Sequence, residues 1–367
     1  MKNGRFYEID LLRFLAALSV LLFHYTFRGA VGGAFTDVSF PELAGATKYG
    51  YLGVNLFFLI SGFVILMTAS GKSARQFVVS RAARLYPAFW CCVTLTFLAT
   101  LLLGQGRFAV TAGQYLVNLT MLHEPLHVES VDGVYWSLLV ELKFYALVFL
   151  LVLFGQVRHV KVYLGAWLAA ALWLSVHHHR ALGGLLIPEY AGYFIAGATF
   201  FLIAREGNSA YKTVLLVASY LLTARYALGS QPDYLREHGV HFNPWVDVAA
   251  VAAFFVLLYL IATGKTRRFG SSRFVWLGAL TYPLYLLHQN LGYMLFNLLG
   301  GRVEKHVLLA GVTALILAAS WWVHRQIEST YGPRLRALLE RALTLAGGLS
   351  ARLRPGRRWV AKMLLRG

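Results

Sequence analysis

Charge and cysteine are what this chain has least of. Only 14% of its 367 residues are Asp, Glu, Lys or Arg, against 58% hydrophobic. That balance is too apolar for a soluble protein of this size. Acidic residues are the scarcer kind, 16 against 34 basic ones, for a net charge of +18. The two cysteines, Cys91 and Cys92, are adjacent and lie inside an apolar run. Neighbouring cysteines rarely form an unstrained bridge, and no second pair exists to chelate zinc. They read as small apolar helix residues and say nothing about redox compartment.

Long apolar runs are what the chain has in place of charge. They recur at the length of a bilayer crossing, which predicts an all-α, polytopic membrane protein. We read about ten transmembrane helices, near residues 9–27, 51–69, 86–103, 135–154, 160–176, 186–203, 212–228, 245–263, 275–298 and 307–324. The first does not read as a cleaved signal, because polar residues interrupt its flanks and more spans follow. With both termini in the cytoplasm, 25 of the 34 lysines and arginines face that side and eight the other, and Lys143 lies within a span. This is the positive-inside pattern. Residues 113–122 are apolar but short. A crossing there would reverse the bias, so 104–134 is read as an outer loop carrying an interfacial or re-entrant helix. The basic residues are divided among membrane-proximal loops, which argues against nucleic acid as a partner.

The first span carries the polar residues that organise the reading. Eleven steps of about 100° place Arg13 and His24 on one side of the helix, about 16 Å apart along its axis. Asp10 lies one turn before Arg13, within pairing range. An ionisable group inside a span faces protein or a water-filled cavity. His24 either bonds a neighbouring helix or acts as a base in a pocket that Arg13 makes attractive to anions. In the second span, Gly53 and Gly62 suit close helix packing, whereas Asn55 and Ser61 can line a polar cavity. Pro87 fits the first turn of the third span. Arg81 and Arg84, three apart before it, share a helix face and can clamp phosphates. Lys72 and Arg75 in the same loop serve topology. The fourth span opens on Tyr135, Trp136 and Ser137 and carries Glu141 at a depth where it can meet His24 and orient the imidazole. Pro283 should kink the ninth span. His288 beyond it is left between a packing role and a catalytic one. No metal site is expected, because Pro125 breaks the helix that would stack His123 over His127. The segment 326–367 is Arg-rich with spaced leucines and reads as an amphipathic cytoplasmic helix on anionic lipid.

These residues resemble the acyltransferase-3 family of integral-membrane acyltransferases. The resemblance rests on Ile9-Asp10 with Arg13 and His24, and on Gly53-Val54-Asn55-Leu56-Phe57-Phe58 with Ser61-Gly62-Phe63. It also rests on Arg81 and Arg84 before Leu85-Tyr86-Pro87, Trp136-Ser137-Leu138 with Glu141, Phe144 and Tyr145, and Tyr282-Pro283-Leu284-Tyr285-Leu286-Leu287-His288. It covers about residues 5–325, and the domain is taken as 1–325. It implies a ten-helix enzyme of the cell membrane, of the bacterial inner-membrane type. Such an enzyme takes an acyl group, commonly acetyl, from cytoplasmic acyl-CoA and places it on a hydroxyl of a surface or exported carbohydrate. It implies no tightly bound cofactor. It implies that His24 takes part in transfer, that Arg13 shares the pocket, and that Arg81, Arg84 and Glu141 match family positions. Acyl-CoA, a glycan and the bilayer are then the partners, with Tyr135 and Trp136 expected to stack on sugar faces near the outer opening. Two rivals remain on residues alone: a glycan transporter or flippase with a His24–Glu141 proton relay, and a non-catalytic scaffold. The soluble-like acyltransferases with a His-x4-Asp motif do not fit.

Overall fold

The computed structural model describes residues 5–177, 179–230 and 239–353, with side chains to 345. His178, the polar residues of 231–238 and the arginines beyond 353 lie outside these. Twelve helices carry the architecture: α1 Tyr7–Phe23, α2 Leu52–Ala69, α3 Ala74–Leu103, α4 Ala112–Asn118, α5 Trp136–Leu153 and α6 Val160–Leu174. They continue with α7 Pro188–Glu206, α8 Ala210–Gly229, α9 Pro244–Ala262, α10 Phe274–Leu299, α11 Lys305–Trp322 and α12 Ser329–Leu353. Among the described residues there are no strands, only two isolated bridges. Seven helical segments are long and apolar enough to cross a bilayer. The other three segments read as spans from the sequence are α6, α8 and α10, and each is a helix at its expected place.

Packing divides the bundle in two. On one side α2 lies against α1, α5 and α7, and α7 in turn receives α6 and α8. On the other, α10 lies against α1, α3 and α11. Small residues let the α2–α7 pair close up. A Cβ on Gly197 would strike the carbonyl of Leu59, and one on Gly62 the carbonyl of Phe194. Both glycines therefore act in packing, as their spacing suggests. Gly53 does the same against Ala16 of α1.

One helix departs from the sequence reading in where it starts. α3 begins at Ala74, because Ser73 and Gln76 form a reciprocal capping box. Pro87 is therefore interior, not in the first turn. Its missing N–H leaves the Ala83 carbonyl without its helical donor, and α12 brings Gly332 against that carbonyl. α10 runs through Pro283 without a break.

Residues 104–134 fold back along α3. Tyr115 stacks on Phe97 with centroids 4.4 Å apart, and its hydroxyl lies 2.9 Å from Thr94 Oγ1. Further on, Trp90 donates to the Leu119 carbonyl at 3.0 Å. Tyr86 donates to the Thr120 carbonyl at 3.2 Å. Residue 86 lies about 25 Å down α3 from Leu103. The loop thus descends beside α3, and side chains of α3 satisfy its carbonyls. Irregular backbone at such depth is tolerated only when protein shields it. The chain returns through Asp132, which accepts from the Val134 N–H at 3.2 Å and from the Asn290 N–H of α10 at 3.1 Å.

α12 does not stand alone as a tail. It runs antiparallel to the first turns of α3, where Arg75 reaches the Glu340 carbonyl and donates to Thr344 Oγ1 at 2.6 Å.

Candidate active site

α1 ends in a π turn, His24–Arg28, in which the Gly29 N–H bonds the His24 carbonyl at 2.9 Å. Such turns are rare and concentrate at functional sites. The wider coil presents His24 beside α10. There His288 Nε2 lies 3.0 Å from His24 Nδ1, which is also 2.9 Å from the Val20 carbonyl.

The bonding pattern assigns both tautomers. His288 Nδ1 faces two carbonyls, Tyr285 at 2.8 Å and Leu284 at 3.2 Å. A carbonyl only accepts, so that nitrogen bears the proton and Nε2 bears the lone pair. His24 Nδ1 must then be the donor, shared between His288 Nε2 and the Val20 carbonyl. The lone pair of neutral His24 lies on Nε2. Tyr25, fully buried, donates to the His288 carbonyl at 2.8 Å and braces the pair from behind.

Two cavities flank this point. The first, about 210 Å³, is lined by Arg13, Arg81 and Arg84 with Ser61, Ser137, Glu141, Tyr145 and Tyr282. It is an arginine chamber. The second, about 550 Å³, is lined by His24, Arg28, Asn55, Trp136, Glu189, Tyr190, Tyr193, Asp247 and Gln289. It is a histidine chamber. Val54 and Tyr285 line both.

In the arginine chamber two guanidiniums have defined neighbours. Arg81 lies over the Tyr145 ring at 6.0 Å, and its Nε is buried with no hydrogen-bond partner among the described residues. Arg84 lies over Tyr282 at 5.8 Å and pairs with Glu328. Glu328 also accepts from His324 at 2.6 Å. Glu141 accepts from Ser61 Oγ at 2.6 Å.

In the histidine chamber the walls are aromatic and polar. Asn55 donates to the Tyr193 hydroxyl at 2.7 Å. Trp136 packs against Tyr190 at 5.7 Å. Glu189 and Asp247 add carboxyl groups to the walls that His24 and Arg28 also line.

The sequence-derived residues are thus sorted rather than simply gathered. His24, Asn55 and Trp136 share one chamber, and Arg13, Ser61, Arg81, Arg84, Ser137 and Glu141 share the other. Four expectations change. Glu141 does not hold the imidazole, because Ser61 and the arginine chamber claim its carboxylate; the partner is His288. Arg13 and His24 share a helix face, but their axial separation opens them into different cavities. Asp10 pairs with Arg5 at 2.9 Å rather than with Arg13, and lies against the bare Cα of Gly278. Tyr135 is fully buried on Phe89, at 5.3 Å, and lines neither chamber.

Sequence reasoning missed Val54, Tyr285, Glu189, Tyr190, Tyr193, Asp247 and Glu328. Tyr285 and Val54 stood inside motifs already singled out. Tyr285 sits one turn before His288, and that spacing was the available signal.

Comparison with known proteins gives the family. The acyltransferase domain model of the acyltransferase-3 family matches residues 6–325. The chain belongs to the acyltransferase-3 family. It is 27% identical over 348 residues to a Komagataeibacter xylinus protein named as a membrane-bound transacylase, BcsY, covering 90% of this chain and 83% of that one. It is 26% identical over 194 residues to the peptidoglycan O-acetyltransferase OatA of Listeria monocytogenes, covering 46% of this chain and 28% of OatA. It is 28% identical over 225 residues to nodulation protein 10 of Rhizobium leguminosarum bv. viciae, covering 55% and 59%. No solved structure matches. The protein is a multi-pass membrane acyltransferase of this family. Every motif residue placed in the two chambers falls within the matched range. Glu328, which holds Arg84, falls just beyond it. Among the described residues no cluster of His, Cys, Asp and Glu could hold a metal ion.

Proposed function

We propose that the protein moves a short acyl group, acetyl in the first instance, from cytoplasmic acyl-CoA to a hydroxyl of a surface or exported carbohydrate. One observation carries this reading: a cationic cavity and a histidine-bearing cavity stand back to back within one helical bundle and share two wall residues.

The distribution of lysine and arginine puts the arginine chamber toward the cytoplasm, as in an inner-membrane enzyme. Acyl-CoA is polyanionic, and Arg13, Arg81 and Arg84 suit its phosphates. Glu141 and Glu328 limit the excess positive charge in that chamber, and Glu328 fixes the Arg84 fork. The acceptor enters the histidine chamber, where Trp136 and Tyr190 offer faces for a sugar ring and Asn55 a polar edge. The acceptor hydroxyl oxygen bonds to the thioester carbonyl carbon as its proton passes to His24 Nε2. The carbon–sulfur bond then breaks, and the proton moves from Nε2 to the departing sulfur. His288 accepts the Nδ1–H throughout and stabilises the imidazolium that forms transiently.

Replacing His24 by alanine should abolish transfer while the protein still inserts in the membrane. Mass spectrometry of surface and secreted glycans from cells carrying either form reads this directly. The wild type adds an acyl-sized mass, acetyl by expectation, and the variant adds none. A glycan that stays acylated in the variant overturns the role. Movement of a glycan without acyl-CoA consumption would favour a transporter instead.

A further inference from the structure

Val54 and Tyr285 are the two residues that line both chambers, so these side chains form the neck between them. Both are buried, each 7% exposed. The neck is held from several directions. The Tyr285 hydroxyl lies 2.7 Å from Ser137 Oγ and donates to the Val134 carbonyl at 3.2 Å. Its ring meets Phe57 edge-on at 5.8 Å. On the α2 side, Val54 follows Gly53, whose missing Cβ lets α2 press against the Ala16 carbonyl and Val20 of α1. The backbone behind Val54 therefore has nowhere to retreat. Valine is branched at Cβ and stiff at χ1, so it cannot swing aside as leucine or methionine would. With the backbone and the tyrosine fixed, the volume of the side chain at position 54 sets the width of the opening.

We infer that the Val54–Tyr285 neck selects the acyl group by length. This inference rests on the acyl-CoA reading above. An acyl carbonyl approaching from the arginine chamber must reach the neck to meet a hydroxyl held near His24. The alkyl part then lies between the valine methyls and the tyrosine ring. Acetyl brings one methyl there, and each further methylene has to displace a wall atom. In a tight apolar slot, one methylene changes kcat/KM by about 10–200-fold.

The test uses the full-length enzyme in proteoliposomes, with acetyl-, propionyl- and butyryl-CoA as donors. The acceptor is surface glycan harvested from host cells lacking the protein. Thiol release and added glycan mass are both read. Wild-type kcat/KM should fall in the order acetyl, propionyl, butyryl. Val54→Ala should raise the butyryl-to-acetyl ratio by about tenfold or more. Val54→Ile should lower the propionyl-to-acetyl ratio, and the isosteric Val54→Thr should leave both ratios within about twofold. If Val54→Ala does not fold, the isoleucine and threonine variants decide. Unchanged ratios in an active wild type and active variants overturn the neck. A wild type that releases thiol from none of the three donors overturns the donor reading, and the neck with it.

Discussion

An imidazole inside a bilayer does chemistry only if its lone pair is aimed at the substrate. Here the aiming comes from a chain of acceptors: two α10 carbonyls fix His288, and His288 with the Val20 carbonyl fixes His24. His288 is a positioning residue, since His24 stands between it and the acceptor. His288→Leu should lower kcat by about a hundredfold and leave acyl-CoA affinity unchanged, as measured by equilibrium binding. His288→Gln, which restores an acceptor oxygen, should recover part of the loss. Equal loss in both variants would reduce His288 to a packing residue. At this scale the sequence was half legible. Helical arithmetic placed Arg13 and His24 on one face, and that holds. It said nothing of the wall between them, because a wall is built by α2 and α10, far away in the chain. Depth arithmetic likewise put Glu141 level with His24 but could not show that Ser61 would take its carboxylate.

Among the elements, the crossing of α2 and α7 is the tightest contact built on glycine. Gly197→Leu should cost roughly 1–3 kcal/mol or more by overpacking, read as a lower melting temperature in detergent. Gly183→Leu, at an open position with nothing near its Cβ, should cost far less. Local signals did well for such elements. Glycine spacing announced the close contact, and the short apolar run at 113–122 announced a helix that does not cross. The π turn at His24 was not legible, since nothing in His24-Tyr25-Thr26-Phe27-Arg28 distinguishes a π coil from an α one. Pro87 misled in the other direction. A proline favours a first turn, but the capping box at Ser73 set the start thirteen residues earlier, and α12 covers the carbonyl that proline exposes.

At the scale of the whole molecule, the described residues hold seven helical segments that pass for spans on length and apolarity, and three more helices at the places where the sequence predicts spans. α6 is short, at 15 residues, and α8 and α10 carry polar residues, so none of the three is among the seven. The topology can be checked directly. In a variant lacking Cys91 and Cys92, a single cysteine at Lys72 should react with an impermeant maleimide only from the cytoplasmic side. One at Glu304 should react only from the outer side. Labelling of both from one side would overturn the ten-span arrangement. The order of motifs along the chain made the family readable. The division into two chambers was not readable, because each chamber draws residues from at least four helices.

The meeting of the two chambers at Val54 and Tyr285 also bears on the energetics of the proposed transfer. In that reaction only the acyl group passes between the chambers, while the thiol carrier and the acceptor each keep to their own side. One bond is exchanged for another, and no ion accompanies the group. Transfer of this kind requires no aqueous channel and draws nothing from an electrochemical gradient.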